Sequence, residues 1–549
     1  MSHYSSLKTP RRYKKRLAQC STPALASAGF SRYTVAAIDN VYEKDFSLMS
    51  RLRIPASFTA FSAAFSMFFC AVLLLAAARP ASAQDTHAGK TSSGMVAAMP
   101  PMGPAATPPM GPAATPPMGP AATPPMGWNS WDSWGFTITQ QQFERTADYM
   151  HQHLQKYGWQ YMVIDEGWFA QYPTHGGIAR ETQGYVISPD GLYMPAPNRF
   201  PQGLKGVADY VHSLGLKFGI HIVHGIPRSA VEKNLPIAGS HYTADEAANT
   251  SDVCAWNTDN YGIKDNAAGQ AYYDSMLKLY ASWGLDFLKV DCISSPYNAA
   301  EIHMIHRAIE KTGRPIVLSL SPGPTPLKDG PDVEKYGNMW RISNDMWDVW
   351  YKPESAPSFP QALTRQFGQL ARWTPYRGPG HWPDADMLPI GTLEPHPGWG
   401  QPRVSRLTHT EERTLVSLWS MARSPLIMGG NLLRMDPYTL SLLTDPEVIA
   451  IDQHSGGNHA VHQDAQSSVW TAEGAKGTYV GVFNLEDTAR TMTVPFSDVG
   501  VHGRHRVRDL WARRNLGRKR EISVKVPAHG CRLLLIQQSH VHRWTAVKP

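Results

Sequence analysis

From Pro124 onward, short apolar runs alternate with longer amphipathic stretches. The runs Met126–Ser130, Tyr161–Asp165, Phe218–Val223, Phe287–Asp291, Ile316–Ser321, Met339–Ser343, Trp382–Met387 and Leu426–Gly429 predict buried parallel strands. Apolar spacing of three and four predicts helices over Gln140–Lys156, Leu204–Leu214, Ala268–Ser282, Ala299–Lys311 and Thr410–Ala422. Eight such units over roughly 320 residues predict an α/β fold, a (β/α)8 TIM barrel over 124–455. Gly225–Gly262, after the third strand, reads as an insertion. Beyond about residue 455 the runs become short, β-branched and turn-bounded, as in Thr478–Asn484, Ile522–Val526 and Arg532–Ile536. They predict a C-terminal antiparallel β-sandwich over 456–549.

Several strands end in polar residues. Leu285–Val290 is apolar except for Asp286 and Lys289, and Asp291 follows. A period of two puts Lys289 and Asp291 on one face, where the ammonium favours an ionised carboxylate. An ionised, held carboxylate can be a nucleophile, although this stretch alone reads equally as a structural ion pair. Met339–Asp345 also runs strand-like into a carboxylate, with Arg341 four residues before it. Two carboxylates at one mouth are the equipment for splitting a glycosidic bond. Asn129, Asp165-Glu166, His221, Ser321, Asp384 and Asp386 fall at other strand ends, on the side where a barrel carries its active site.

The net charge of +7 belongs to the leader. Residues 1–83 carry 11 of the 52 Lys and Arg and 3 of the 45 Asp and Glu, leaving 41 basic and 42 acidic residues beyond them. Nothing there points to nucleic acid. Phe58 to Ala78 is apolar, a short basic stretch at Met49–Arg53 precedes it, and Ala81-Ser82-Ala83 follows. This is the pattern of a secretory signal peptide cleaved after Ala83, with Met49 the expected initiator and no membrane anchor after cleavage. A secreted or periplasmic location follows. Residues 100–123 are three copies of Pro-Pro-Met-Gly-Pro-Ala-Ala-Thr, so 84–123 reads as an extended, disordered tether. No cysteine pair has a metal-ligand spacing, and a Cys254–Cys292 disulfide suits an exported chain. The 17 tryptophans fit either a carbohydrate site or a large aromatic core.

Five words in order carry a resemblance: Pro125-Met126-Gly127-Trp128-Asn129-Ser130-Trp131, Ile164-Asp165-Glu166-Gly167-Trp168, Lys289-Val290-Asp291-Cys292, Trp340-Arg341-Ile342-Ser343-Asn344-Asp345 and Pro383-Asp384-Ala385-Asp386-Met387. Ser424–Gly429 and Asp509-Leu510-Trp511 extend it. Together they resemble glycoside hydrolase family 27, the melibiase-type α-galactosidases. The resemblance implies a barrel followed by a β-sandwich, a retaining mechanism, a carbohydrate substrate and no cofactor or metal. It implies Asp291 as nucleophile and Asp345 as acid/base. It implies that Asp165 and Glu166 grip sugar hydroxyls, that Trp128 is the platform under the ring, and that Lys289 and Arg341 are basic site residues.

Three departures bear on the sugar. The second strand ends Asp-Glu-Gly-Trp where the family usually has Asp-Asp-Cys-Trp. His221 stands in place of a common Tyr. Ser321 stands where a typical α-galactosidase has the Glu that reads the 2-hydroxyl. The primary expectation is an α-galactosidase. The alternatives are the same mechanism on an α-N-acetylgalactosaminide, an isomalto-glucan or a β-L-arabinopyranoside, or a non-catalytic carbohydrate-binding barrel. Oligomeric state is open.

Overall fold

A computed structural model describes residues 119–174 and 183–538. The expected leader, its cleavage point and the repeats up to residue 118 lie outside the described residues. Eight strands form the barrel: β1 (Met126–Asn129), β2 (Tyr161–Ile164), β3 (Lys217–Val223), β4 (Phe287–Asp291), β5 (Val317–Leu320), β6 (Met339–Arg341), β7 (Trp382–Asp384) and β8 (Leu426–Met428). They pair in parallel in the order β7-β6-β5-β4-β3-β2-β1-β8. The ring closes just past β7, where the Leu388 N–H donates to the Ile427 carbonyl at 2.8 Å.

Strand alternation explains both layers of the core. Tyr161, Val163, Phe287, Val317, Met339, Trp382 and Ile427 fill the barrel interior. Their neighbours Met162, Ile164, Leu288, Val290, Leu318, Leu320 and Trp340 face the helices. Those helices are α1 (Gln140–Tyr149), α2 (Gly203–Ser213), α3 (Ala267–Ser282), α4 (Ala299–Thr312), α5 (Gly330–Tyr336), α6 (Leu363–Trp373) and α7 (His409–Ala422). Helix α1 begins with a capping box between Thr139 and Gln142. The short α5 and the strongly amphipathic α6 were not among the predicted helices. The insertion after β3 forms a three-stranded sheet from Ile226–Pro227, Ala248–Asn249 and Asn260–Ile263.

The predicted tether ends earlier than its repeats do. Ala121 is buried, and its carbonyl accepts from Gly380 N–H at 3.0 Å and from Trp382 Nε1 at 2.7 Å. Those bonds pin the last linker residues to the mouth-distal interior of the barrel, beside Tyr161 and Phe287.

After α8 (Pro437–Leu443) and α9 (Pro446–His454) come eight antiparallel strands. They are β9 (Gly456–Gln463), β10 (Ser467–Gly474), β11 (Gly477–Asn484), β12 (Arg490–Pro495), β13 (His505–Asp509), β14 (Arg514–Lys519), β15 (Glu521–Val526) and β16 (Cys531–Gln537). One sheet runs β9-β10-β11-β16-β13-β14 and the other pairs β12 with β15. Val480, Val482, Val494, Ile522, Leu534 and Ile536 form the filling between them. The sandwich packs on α6 and α7: Phe483 meets Phe367 edge-on at 5.2 Å, and Trp511 Nε1 donates to Ser417 Oγ at 2.9 Å. Phe483 and Phe367 are fully buried, and burial of a side chain of this size stabilises the contact by about 1.5–3 kcal/mol. Among the described residues, no helix is long and apolar enough to cross a membrane.

Candidate active site

The C-terminal ends of the barrel strands open into a cavity of about 480 Å³, a size suited to a small ligand. Asp291, at the end of β4, and Asp345, four residues past β6, both line it. Asp165, Glu166, Lys289 and Arg341 line it as well. The barrel therefore brings six of the nine predicted site residues to one cavity. His221 and Ser321 sit just beneath, and Trp128 lies elsewhere.

Period-two alternation on β4 does what the sequence implied. The Lys289 ammonium lies 2.9 Å from Asp165 Oδ2 and 3.9 Å from Asp291 Oδ1. His221 Nε2, from β3, lies 3.0 Å from Asp291 Oδ2. Ser321 also favours the ionised form of the Asp291 carboxyl. Burial pulls the Asp291 carboxyl upward, but Lys289 and His221 outweigh it and hold it below the usual carboxylate range. The residue after Ser321, Pro322, faces the cavity.

Asp165 and Glu166 are adjacent, so a continuing strand would point them apart. The strand stops at Ile164 instead. The chain turns at Gly167, whose φ of +87° lies in the region that favours glycine, and both carboxylates reach the cavity. Asp165 Oδ2 also accepts from Asn129 Nδ2 at 2.7 Å. Burial raises Asp165, and Lys289 and His221 more than reverse it. Among the described residues Glu166 has no ion-pair partner, although the His221 charge opposes the effect of burial. Its Oε1 accepts from Asn257 Nδ2 at 2.6 Å, and burial pushes its carboxyl up to about 7.

On the opposite wall, Arg341 Nη1 lies 3.2 Å from Asp345 Oδ1 and Nη2 lies 2.6 Å from Asp386 Oδ2. Burial, with Asp345 and Asp384 nearby, lifts Asp386 to about 7 against the pull of Arg341. The Asp345 side chain is 41% exposed, against 13% for Asp291. The more open carboxylate suits proton exchange, and the more enclosed, cation-held one suits attack.

Trp128, expected as the platform under a ring, is not in the cavity. It is fully buried and packs on Phe143 of α1, and its Nε1 donates to Gly430 O at 2.8 Å. The register explains this: Trp128 pairs with Met162, which also faces the helices. Trp131, two residues past β1, lines the cavity instead, with Trp256, Trp347 and Phe359. Trp131 belongs to the same sequence word, and counting strand parity from the inward Asn129 separates the two tryptophans. Asn257 and Trp256 lie in the insertion, where no motif marked them.

Cys254 and Cys292 are disulfide-bonded, with Cα atoms 5.9 Å apart. The bridge ties the insertion to the residue that follows Asp291. Among the described residues, one group of potential metal ligands comes together, His224, Asp252 and Glu301, with ligand atoms within 4.8 Å of one another. Glu301 already accepts from Tyr273 Oη, from Ile263 N–H at 2.8 Å and from Asn298 Nδ2 at 3.1 Å. His224 Nδ1 lies 3.2 Å from it, so the group reads as a hydrogen-bonded support for the insertion.

Comparison with known proteins agrees with this geometry. A family model described as α-galactosidase A matches residues 123–264 and 261–454, and one for the α-galactosidase C-terminal β-sandwich domain matches 464–536. An α-galactosidase of Oryza sativa subsp. japonica is 29% identical, over 74% of this chain and 83% of its own. Among solved structures, a family-27 β-L-arabinopyranosidase from Geobacillus stearothermophilus is 41% identical, with a TM-score of 0.73, over 77% of this chain and 98% of its own. A variant of that enzyme solved in complex with arabinose is similar to the same degree, at 41% identity and a TM-score of 0.72, over 76% of this chain and 98% of its own.

Proposed function

The chain belongs to glycoside hydrolase family 27, and we propose that it is an exported, retaining β-L-arabinopyranosidase. The observation that carries the substrate is Glu166. A β-L-arabinopyranoside has the ring stereochemistry of an α-D-galactopyranoside but carries hydrogen in place of the 6-hydroxymethyl group. Glu166 is one methylene longer than the Asp usual in the resembling α-galactosidases, and Asn257 holds its carboxylate at the cavity wall. That extra length crowds the place of C6 and leaves a pentopyranose room. The 41% identity to an arabinopyranosidase, against 29% to an α-galactosidase, supports the same reading.

In the proposed mechanism the Asp291 carboxylate attacks the anomeric carbon as Asp345 protonates the departing glycosidic oxygen. The glycosyl ester on Asp291 is then hydrolysed by water, which Asp345 deprotonates. Lys289 and His221 keep Asp291 ionised. Asp165, held by Lys289 and Asn129, accepts a sugar hydroxyl. Export is supported by the leader pattern and by the Cys254–Cys292 bridge.

The second reading is an α-galactosidase, favoured by Asp165, Lys289, Arg341 and both catalytic carboxylates, which suit galactose equally. Kinetics on a matched pair of aryl glycosides separate the two. The proposal requires kcat/KM for the β-L-arabinopyranoside to exceed that for the α-galactoside by at least about tenfold, about 1.4 kcal/mol. A preference for the galactoside overturns it.

A further inference from the structure

We propose that Asn257 is a positioning residue for sugar selectivity: it fixes where the Glu166 carboxylate stands and thereby how much of a sugar's C6 side the cavity admits. The inference deepens the arabinopyranosidase reading and rests on it.

Glu166 has three side-chain torsions, and neither Lys289 nor Arg341 pairs with it directly. Its side-chain partner is Asn257 Nδ2, at 2.6 Å. Both residues are nearly inaccessible, Asn257 at 2% and Glu166 at 4%. The Asn257 amide cannot flip, because its Oδ1 already accepts from the Asp259 N–H at 3.0 Å, so its NH2 must face Glu166. Asp259 is itself held, with Oδ2 accepting from Tyr185 Oη at 2.7 Å and its carbonyl accepting from Arg228 N–H at 3.0 Å. Three residues before Asn257, Cys254 is bonded to Cys292, next to the Asp291 nucleophile. Trp256, between them, lines the cavity. The insertion is thus stapled to the end of β4, and it delivers one donor across the mouth to the carboxylate just past β2. Without that donor, a buried carboxyl with no ion-pair partner among the described residues can rotate away and enlarge the cavity where C6 would lie.

The test is the ratio of kcat/KM for aryl β-L-arabinopyranoside over aryl α-galactoside, measured in wild type, Asn257→Ala, Asn257→Asp, Glu166→Asp and the Glu166→Asp/Asn257→Ala double variant. Asn257→Asp is nearly isosteric and reads the role should the alanine variant fail to fold. Loss of the donor is expected to lower the ratio at least fivefold. In the Glu166→Asp background, where the carboxylate is already withdrawn, Asn257→Ala is expected to change the ratio less than twofold. A structural role alone would lower both substrates together and leave the ratio fixed, and that result overturns the inference. An equal change of ratio with and without Glu166 overturns it too, because Asn257 would then act on the sugar by another route. Should wild type prefer the galactoside, the substrate reading fails. The dependence of the Asn257 effect on Glu166 still decides the positioning role.

Discussion

His221 Nε2 stands 3.0 Å from Asp291 Oδ2, on the adjacent strand and beneath the cavity floor. With Lys289 it holds a buried carboxylate ionised, as the proposed nucleophile requires. Asp291→Ala is therefore expected to abolish turnover, with azide restoring it as a glycosyl azide of inverted anomeric configuration. Asp345→Ala should cut the rate on poor leaving groups by roughly 10²–10⁴-fold. It should spare the glycosylation step of substrates with activated aryl leaving groups. Steady-state rates with and without azide, and NMR of the azide product, check both. Activity retained by Asp291→Ala removes the nucleophile assignment.

The two tryptophans of the first motif should separate by phenotype. Trp128→Ala empties a fully buried site and is expected to cost about 3–5 kcal/mol of stability. Trp131→Ala is expected to leave the melting temperature nearly unchanged and raise KM at least about tenfold. Denaturation curves and kinetics on both variants read this out.

A carboxyl whose folded pKa is raised binds its proton more tightly when folded, so it weakens the fold as pH climbs past its unfolded value. Glu166 rises from 4.5 to about 7. Stability is expected to fall between about pH 4.5 and 7, by roughly 1–3 kcal/mol for this group. Asp386 adds a loss of the same sign. The Glu166→Gln variant should lose the Glu166 share, so the wild-type minus variant difference in unfolding free energy isolates it. A difference that does not vary with pH contradicts the assignment.

How much of this the sequence disclosed follows from what each feature depends on. The eight barrel strands were legible because both faces of each are buried, so every strand is an apolar run with a polar end. Lys289 and Asp291 were legible because two-residue spacing on a strand is unambiguous. Trp128 was misplaced because the resemblance supplied a motif but not the parity that turns its first tryptophan outward. Asn257 carried no signal: it acts from an insertion, and its partner Glu166 is 91 residues away. Ala121 was lost within the Pro-rich repeats, since only the partner Trp382 reveals that its carbonyl is anchored.

The proposal of export makes its own prediction. The secreted protein should begin at Gln84, by N-terminal sequencing, and deletion of residues 1–48 should leave secretion unchanged. The mature chain should carry no free thiol at Cys254 or Cys292, and replacing both is expected to cost about 2–5 kcal/mol. An intact leader on the mature protein overturns the cleavage site.

The most direct test of the account is the Glu166→Asp exchange, read as kcat/KM on aryl β-L-arabinopyranoside and aryl α-galactoside. Wild type should favour the arabinopyranoside at least about tenfold. Shortening Glu166 by one methylene should shift preference towards the galactoside by a similar factor, while kcat on the better substrate stays within an order of magnitude. A variant whose preference matches wild type would contradict the claim that the length of this one side chain selects the sugar.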